Sequence, residues 1–204
     1  MADFNPRDVL DFWFGAEGSP EYGTYRDIWF RAATPAFDQE IRDKFLACHE
    51  AAASDALDHW MDSWQGALAL LVLLDQFPRN MFRNTARAFA TDPKALAVAK
   101  HCVAKGFDQQ APEAMRIFFY LPYEHCEDIR DQERGVALFT ALGGADSTKA
   151  ANEHYETIKR FGRFPHRNGV LGRTSTADEI EYLKTAQTWG QGPANAGPAQ
   201  PAKS

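Results

Sequence analysis

Helix start and stop signals recur along the whole 204-residue chain, whereas strand-like alternation of polar and apolar residues is almost absent. Asn5-Pro6 and Thr34-Pro35 each place a capping side chain before a proline, a pattern typical of helix N-termini, and Asp92-Pro93 is expected to open a further helix. Thr176 and Glu179 have the spacing of a capping box. Apolar residues follow these signals at helical spacing, so the sequence predicts an all-α protein.

Eight principal helices with short connections are predicted, in antiparallel hairpins. The third is apolar almost all round, which is typical of a central buried helix. We expect Pro122 to end the fifth helix near Leu121. Residues 1–188 are predicted to form a single helical domain, and 189–204 a disordered tail of low complexity. The helices are predicted over residues 6–14, 35–53, 64–76, 92–106, 112–121, 127–142, 147–161 and from 176 onward, with a short helical segment over 25–31.

The charge balance excludes one class of partner. The chain has 22 Lys and Arg against 28 Asp and Glu, a net charge of −6, so it lacks the overall positive field of a nucleic-acid-binding protein. Its three cysteines are too few and too scattered for a disulfide framework. No apolar run is long enough to span a membrane, and the N-terminal residues do not resemble a signal peptide. We therefore expect a cytoplasmic protein with no membrane or nucleic-acid partner.

Three polar clusters follow the third, fifth and seventh predicted helices. Each contains a proline that is expected to end its helix and leave the polar residues in a loop. Helices of the same parity run in the same direction in an up-and-down array, so the three loops are expected to meet at one end of the molecule. The clusters are residues 74–80 followed by Arg83 and Arg87, residues 121–128, and residues 159–168 followed by Arg173.

Positive charge is concentrated in the third cluster. Residues 157–177 hold five Lys and Arg and no Asp or Glu, so the rest of the chain carries −6 − 5 = −11. Guanidinium groups bind carboxylate and phosphate through paired hydrogen bonds. The pattern therefore predicts a basic, His/Arg-lined pocket for a small anionic ligand or substrate. Its predicted binding residues are Gln76, Arg79, Asn80, Arg83, Arg160, Arg163, Arg167 and Asn168.

Acid–base chemistry is a second possibility in the same clusters. His125 or His166 would exchange protons, and Asp75 or Glu127 would orient them. An alternative is purely structural: Asp75, Glu124, Glu127 and Asp128 would neutralise the arginines in buried ion pairs that fix helix packing.

Other chemistries have weaker support in the sequence. A metal site would use His125, Glu127, Asp128 and His154, with His125 and Asp128 on one helix face, but this set matches no established spacing. No metal and no cofactor is therefore predicted. Cys126 adjoins His125, yet neighbouring side chains on a helix point about 100° apart, which argues against a nucleophile–base pair. No phosphate-binding glycine loop is present.

The same clusters resemble the motifs of a bacterial family defined as a domain of unknown function, number 924. The resembling segments are VLDFWFG, LALLVLLDQFPRNMFR, LPYEHCED, HYETIKRFGRFPHRN and LGRTSTADE. Cys126 stands where the family usually has serine, which argues against a catalytic hydroxyl there. The resemblance covers about residues 5–185 and implies an all-helical fold with a TPR-like (tetratricopeptide-repeat-like) array. It implies no catalytic residue, but the motif positions are Asp75, Gln76, Arg79, Asn80, His125, Glu127, Arg163, His166, Arg167 and Asn168.

Two classes of function follow from these observations. One is a small-molecule protein or enzyme, whose partner is a small anionic molecule held in an enclosed pocket. The other is a TPR-like interaction module that binds a peptide or an acidic C-terminus in an open groove through the same arginines. The shape of the surface where the clusters meet discriminates between them.

Overall fold

The computed structural model describes residues 4–30, 33–186 and 189, which are largely helical. These residues form nine α-helical segments and no β-strand. Two of the segments are joined through a π-helical turn, so the eight predicted helices are confirmed. The segments are α1 (Pro6–Phe14), α2 (Pro35–Ala53), α3 (Trp64–Leu71), α4 (Phe77–Met81), α5 (Asp92–Lys105), α6 (Glu113–His125), α7 (Ile129–Leu142), α8 (Ala145–Phe161) and α9 (Ala177–Leu183).

Three helices begin where the sequence places its caps, whereas α5 begins at Asp92 itself, after Thr91, and has no side-chain cap. Asn5 and Thr34 accept hydrogen bonds from backbone N–H groups of the first turns of α1 and α2. The predicted capping box is present in full at the start of α9, where Thr176 and Glu179 each accept the other's backbone N–H. The segment predicted as helical over 25–31 contains a 3₁₀ turn, Asp27–Trp29, and its last residue lies outside the described residues. Local capping thus determines where the chain enters its helices.

The segment α3–α4 is the centre of the molecule, as predicted. Residues 66–78 are all buried, and α1, α2, α5 and α6 pack around α3, α4 and the turn between them. The helix does not end at Gln76 as expected. It continues through a π-helical turn, Val72–Gln76, in which the N–H of Phe77 donates to the carbonyl of Val72.

Side chains satisfy the carbonyls that this π turn leaves unbonded. His49 Nδ1 donates to the carbonyl oxygen of Leu73 at 2.8 Å. The carbonyl of Leu74 lacks its helical donor because Pro78 has no N–H, and the Thr91 hydroxyl donates to it at 2.6 Å. A proline inside a buried helix is tolerated here because tertiary partners replace the missing backbone bonds.

Pro122 also fails to end its helix, and the predicted break near Leu121 is wrong. Helix α6 runs to His125. Its end is held by α7, where the Gln132 amide donates to the carbonyls of Glu124 and Cys126 at 2.5 and 2.8 Å. Gly135 of α7 has no side chain, and a Cβ there would lie 3.0 Å from that of Tyr123, so the two helices approach closely at the proline. Consequently, residues 74–80 of the first cluster and residues 121–125 of the second lie within helices, whereas Cys126, Glu127 and Asp128 lie in the connection between α6 and α7.

The third cluster does follow a helix end. Gly162 adopts a left-handed conformation (φ 70°) and ends α8, and Pro165–Arg167 form a 3₁₀ turn before α9. The predicted tail lies outside the described residues except for its first residue, Trp189. The single domain over 1–188 and the TPR-like stacking of the hairpins stay predictions. None of the described helices is long and apolar enough to cross a lipid bilayer.

Candidate functional site

The three polar clusters meet, as predicted, in one largely buried group of side chains. Asp75 of the first cluster accepts a hydrogen bond from His125 Nδ1 of the second at 2.8 Å. Arg79 and Arg167 of the first and third clusters share the carboxylate of Asp92, at 2.9 and 3.2 Å. We call this group the polar centre; its members are Asp75, Arg79, Asp92, Glu124, His125, His154, His166 and Arg167.

Six elements supply these residues, with Arg79 in α4. Asp75 lies in the π-helical turn, and Arg79 follows it by four residues, so that its guanidinium also donates to the Asp75 carbonyl at 2.6 Å. Asp92 is the first residue of α5, and Glu124 and His125 are the last two residues of α6. The remaining contributions come from α8 (His154) and from the 3₁₀ turn (His166 and Arg167). π-helical turns occur frequently at functional sites because they reorient side chains inside a helix.

Burial controls the electrostatics of the polar centre. Although burial opposes it, Arg79 and His125 hold the pKa of the Asp75 carboxyl well below its usual range. Burial, reinforced by the charge of Asp75, raises the pKa of Glu124 to about 8. Burial also lowers the pKa of His125 and His154. At neutral pH the two arginines therefore balance two carboxylates, while the histidines are neutral and Glu124 is largely protonated.

Two members of the centre have polar atoms without partners among the described residues. Nδ1 of His166 and Nε of Arg167 are buried and form no hydrogen bond. Burial, together with Arg167 and Arg79, lowers the pKa of His166 to about 3. Burial and the nearby charge of Arg79 lower the pKa of Arg167 to about 10. These are the least compensated groups of the site, because buried donors normally have acceptors.

Aromatic rings enclose the same groups. The Arg167 guanidinium lies 4.4 Å from the ring centroids of both Phe89 and Phe164. The Trp189 ring lies 4.0 Å from the ring of His154 and 5.1 Å from that of His166. The rings exclude water from one side of the centre and strengthen the interactions of its charges.

The remaining sequence-predicted residues lie around the centre and have protein partners. Arg163 forms a paired salt bridge with Glu179, and Arg173 forms one with Glu127. Asn168 donates to Ser175 and Glu179 and accepts from Arg173. We call these residues the outer cluster: Glu127, Arg163, Asn168, Arg173, Ser175 and Glu179.

The other four predicted binding residues are Gln76, Asn80, Arg83 and Arg160. Gln76 donates to Asp75 at 2.5 Å and is the only one of the four that touches the polar centre. Asn80 and Arg83 both bond to Asp38 of α2. Arg160 stacks on Phe161 at the rim of an open recess of about 400 Å³. The recess is lined by Arg160, Phe161, Arg163, Thr176, Asp178 and Glu179.

The metal-ligand set considered from the sequence is not assembled. His125 ends α6, whereas Asp128 is the exposed N-cap of α7, so the two do not share a helix face. Glu127 is bonded to Arg173 and to the backbone N–H of Phe164. Burial raises the pKa of the Cys126 thiol to about 11, which disfavours the thiolate that a nucleophile requires.

Sequence reasoning missed two members of the centre. The sequence indicates Asp92 only as a helix-start residue, and nothing local indicates that its carboxylate receives two arginines. Glu124 is expected only to neutralise an arginine, yet it lies 3.0 Å from His154 Nδ1. Its position in a polar run directly before His125 was the available signal.

Comparisons with known proteins place the chain among its relatives. Residues 9–187 match the family model described as bacterial protein of unknown function, DUF924. The chain belongs to this family. A solved structure, that of a protein of unknown function, ATU0120 from Agrobacterium tumefaciens, is 44% identical, with a TM-score of 0.80 over 89% of this chain and 97% of that one. A search of curated proteins finds no match. The predicted family and its helical fold are thus confirmed.

Proposed function

We propose that this DUF924 protein binds a small molecule with a carboxylate or phosphate group, and that the polar centre receives that group. The observation that carries the proposal is the pair of buried nitrogens without a hydrogen-bond partner on the 3₁₀ turn, Nδ1 of His166 and Nε of Arg167. A donating His166 Nδ1–H and the Arg167 Nε–H would both hydrogen-bond an anionic oxygen. An anion would also give Arg167 a second acceptor besides Asp92, which it shares with Arg79.

The neighbouring acid–base groups favour a reacting ligand over a merely stored one. His125 is oriented by Asp75, and Glu124 is a carboxyl with a pKa of about 8. A neutral histidine and a protonated carboxyl near neutral pH are suited to accept and donate protons. The burial of Arg79 and Arg167 supports a small-molecule site over the peptide-binding alternative, because an open groove needs exposed arginines and, of these two and Arg163, only Arg163 lines the open recess.

A ligand-binding experiment tests this proposal. The protein is heated with inorganic phosphate and with simple mono- and dicarboxylates, and its melting temperature is recorded. A ligand at 100 times its dissociation constant stabilises the fold by about 2.7 kcal/mol, which is a shift of several degrees. Calorimetric titration then measures the affinity of the strongest anion.

Two matched variants assign the site. Arg167→Met removes the guanidinium but retains much of the aliphatic volume, and we expect it to abolish the anion-induced shift. Arg130→Met removes an exposed arginine that pairs only locally with Asp128, and it should leave the shift unchanged. No shift in the wild type with any anion, or a full shift in Arg167→Met, would contradict the proposal.

A further inference from the structure

Three side chains of the polar centre have a geometry that anion binding does not use. Glu124, His125 and His154 each offer one ligand atom, and these atoms lie within 4.8 Å of one another. All three side chains are buried or nearly so. They come from the end of α6 and the middle of α8, two helices that pack against each other.

Hydrogen bonds from Nδ1 of His125 and Nδ1 of His154 fix the orientation of both imidazole rings. His125 Nδ1 contacts the two oxygens of the Asp75 carboxylate at 2.8 and 3.0 Å, so Nδ1 carries the proton. His154 Nδ1 lies 2.9 Å from the carbonyl of Ala150 and donates to it. Each ring is thereby held in the tautomer whose Nε2 lone pair is available. A carboxylate or carbonyl on the second nitrogen is the usual support of a metal-binding histidine.

The Glu124 carboxyl is left with too few partners for its burial. Among the described residues its one ionic contact is with His154 Nδ1, at 3.0 Å. That nitrogen has a single hydrogen, which the Ala150 carbonyl also receives. A buried carboxyl group in this position has coordination capacity that the protein does not use.

We propose that Glu124, His125 and His154 bind a divalent transition-metal ion such as Zn²⁺, with Asp75 as the positioning residue for His125. Two imidazole nitrogens and one carboxylate oxygen suit Zn²⁺ and similar ions, whereas Mg²⁺ and Ca²⁺ prefer oxygen ligands throughout. Three protein ligands leave at least one coordination position for water or a substrate. The inference does not depend on anion binding, and with the ion bound Glu124 and His125 would act as ligands in place of the acid–base roles considered above.

The direct test uses the metal alone. Full-length protein is freed of metal with a chelator and titrated with Zn²⁺ in a buffer without phosphate or carboxylates. We expect one ion per chain. Glu124→Gln and His154→Asn should each weaken binding at least 100-fold, and Asp75→Asn should weaken it about 10- to 100-fold while the absorption spectrum of the Co²⁺ complex changes.

Matched controls separate this site from nonspecific binding. Glu127→Gln removes the neighbouring acid that the sequence had suggested as a ligand, and His101→Asn removes a histidine of α5 outside the polar centre. Neither should change the affinity or the stoichiometry. Circular dichroism of each variant without metal establishes that it is folded.

Spectroscopy on proteins that keep all three ligands tests the site even if the ligand variants do not fold. The Trp189 ring is 4.0 Å from the His154 ring, so Co²⁺ should quench its fluorescence, and Trp189→Phe should remove that quenching. X-ray absorption of the wild-type Zn²⁺ complex should show two imidazoles and no sulfur. No stoichiometric binding, fewer than two imidazoles, or affinity unaffected by folded Glu124→Gln and His154→Asn would overturn the proposal.

Discussion

The polar centre and the outer cluster contain the same types of side chain, but the charges of their arginines are paired with carboxylates in different ways. In the outer cluster, Arg163 and Arg173 each have a carboxylate of their own in a paired salt bridge. Hydrogen bonding to Glu179 raises the pKa of Arg163, and hydrogen bonding to Arg163 lowers that of Glu179, so both charged forms are stabilised.

In the polar centre, by contrast, burial shifts several groups toward their neutral forms. The pKa of His166 falls to about 3, that of Arg167 falls to about 10, and that of Glu124 rises to about 8. Two arginines share Asp92, and two buried nitrogens have no hydrogen-bond partner among the described residues. Paired charges are typical of structural contacts, whereas incompletely compensated buried groups are typical of binding and catalytic sites.

The strongest test of this contrast removes the shared carboxylate of the polar centre. We expect Asp92→Asn to lower the free energy of unfolding by about 3–5 kcal/mol, because it leaves two buried arginines with one fewer negative charge. Urea denaturation measures the change. Asp58→Asn, which removes a half-exposed partner of Lys94, should cost less than about 1 kcal/mol. A loss below 1 kcal/mol for Asp92→Asn would show that the arginines are well solvated.

A smaller loss is expected in the outer cluster. Glu179→Gln weakens the paired bond from Arg163 and the capping box of α9, and we expect it to cost about 2 kcal/mol. The loss is smaller than at Asp92 because the Arg163 side chain is 28% exposed and keeps contact with water. Anion affinity should be unchanged, and a large decrease in that affinity would place the binding site in the outer cluster instead.

Acid pH distinguishes the two regions through His166. Its pKa is about 3 in the folded protein against about 6.5 in the unfolded chain, so below pH 6.5 the unfolded state binds a proton that the folded state does not. Its contribution to stability is therefore complete above pH 6.5 and is lost progressively as the pH falls toward 3. By pH 5 the loss reaches about 2 kcal/mol.

The measurement compares unfolding free energies of the wild type and His166→Gln at pH 7 and pH 5. Other buried histidines, such as His49 and His154, lower the stability of both proteins, so the informative quantity is the difference between the two pH dependences. We expect the variant to lose about 2 kcal/mol less than the wild type. Equal losses would mean that His166 is accessible to protons in the folded protein.

Much of the helical layout was predictable because its causes are local. Asn5 and Thr34 each precede a proline and cap the helix that starts there. The capping box of Thr176 and Glu179 forms between residues three positions apart. The two prolines in helix interiors were misjudged for the opposite reason. Pro78 and Pro122 are tolerated because distant residues such as Thr91 and Gln132 bond the carbonyls around them.

The polar centre was only partly predictable. The periodic order of helices predicted that Arg79, His125 and Arg167 would meet, and they do. The identity of their partners depended on the packing of α5 and α8 against α6. That packing brings Asp92 between two arginines and Glu124 beside His154, residues 30 positions apart.

By itself, the sequence determined the helices, their order and the polar clusters at three points of the chain, because capping and apolar periodicity act over one or two turns. The tertiary structure alone decided which of the polar residues have full partners. Neutralisation and desolvation depend on distances between side chains from different helices, and these distances are set only when the helices pack. For this reason the arginines that looked alike in the sequence divide into paired ones in the outer cluster and an incompletely compensated one, Arg167, in the polar centre.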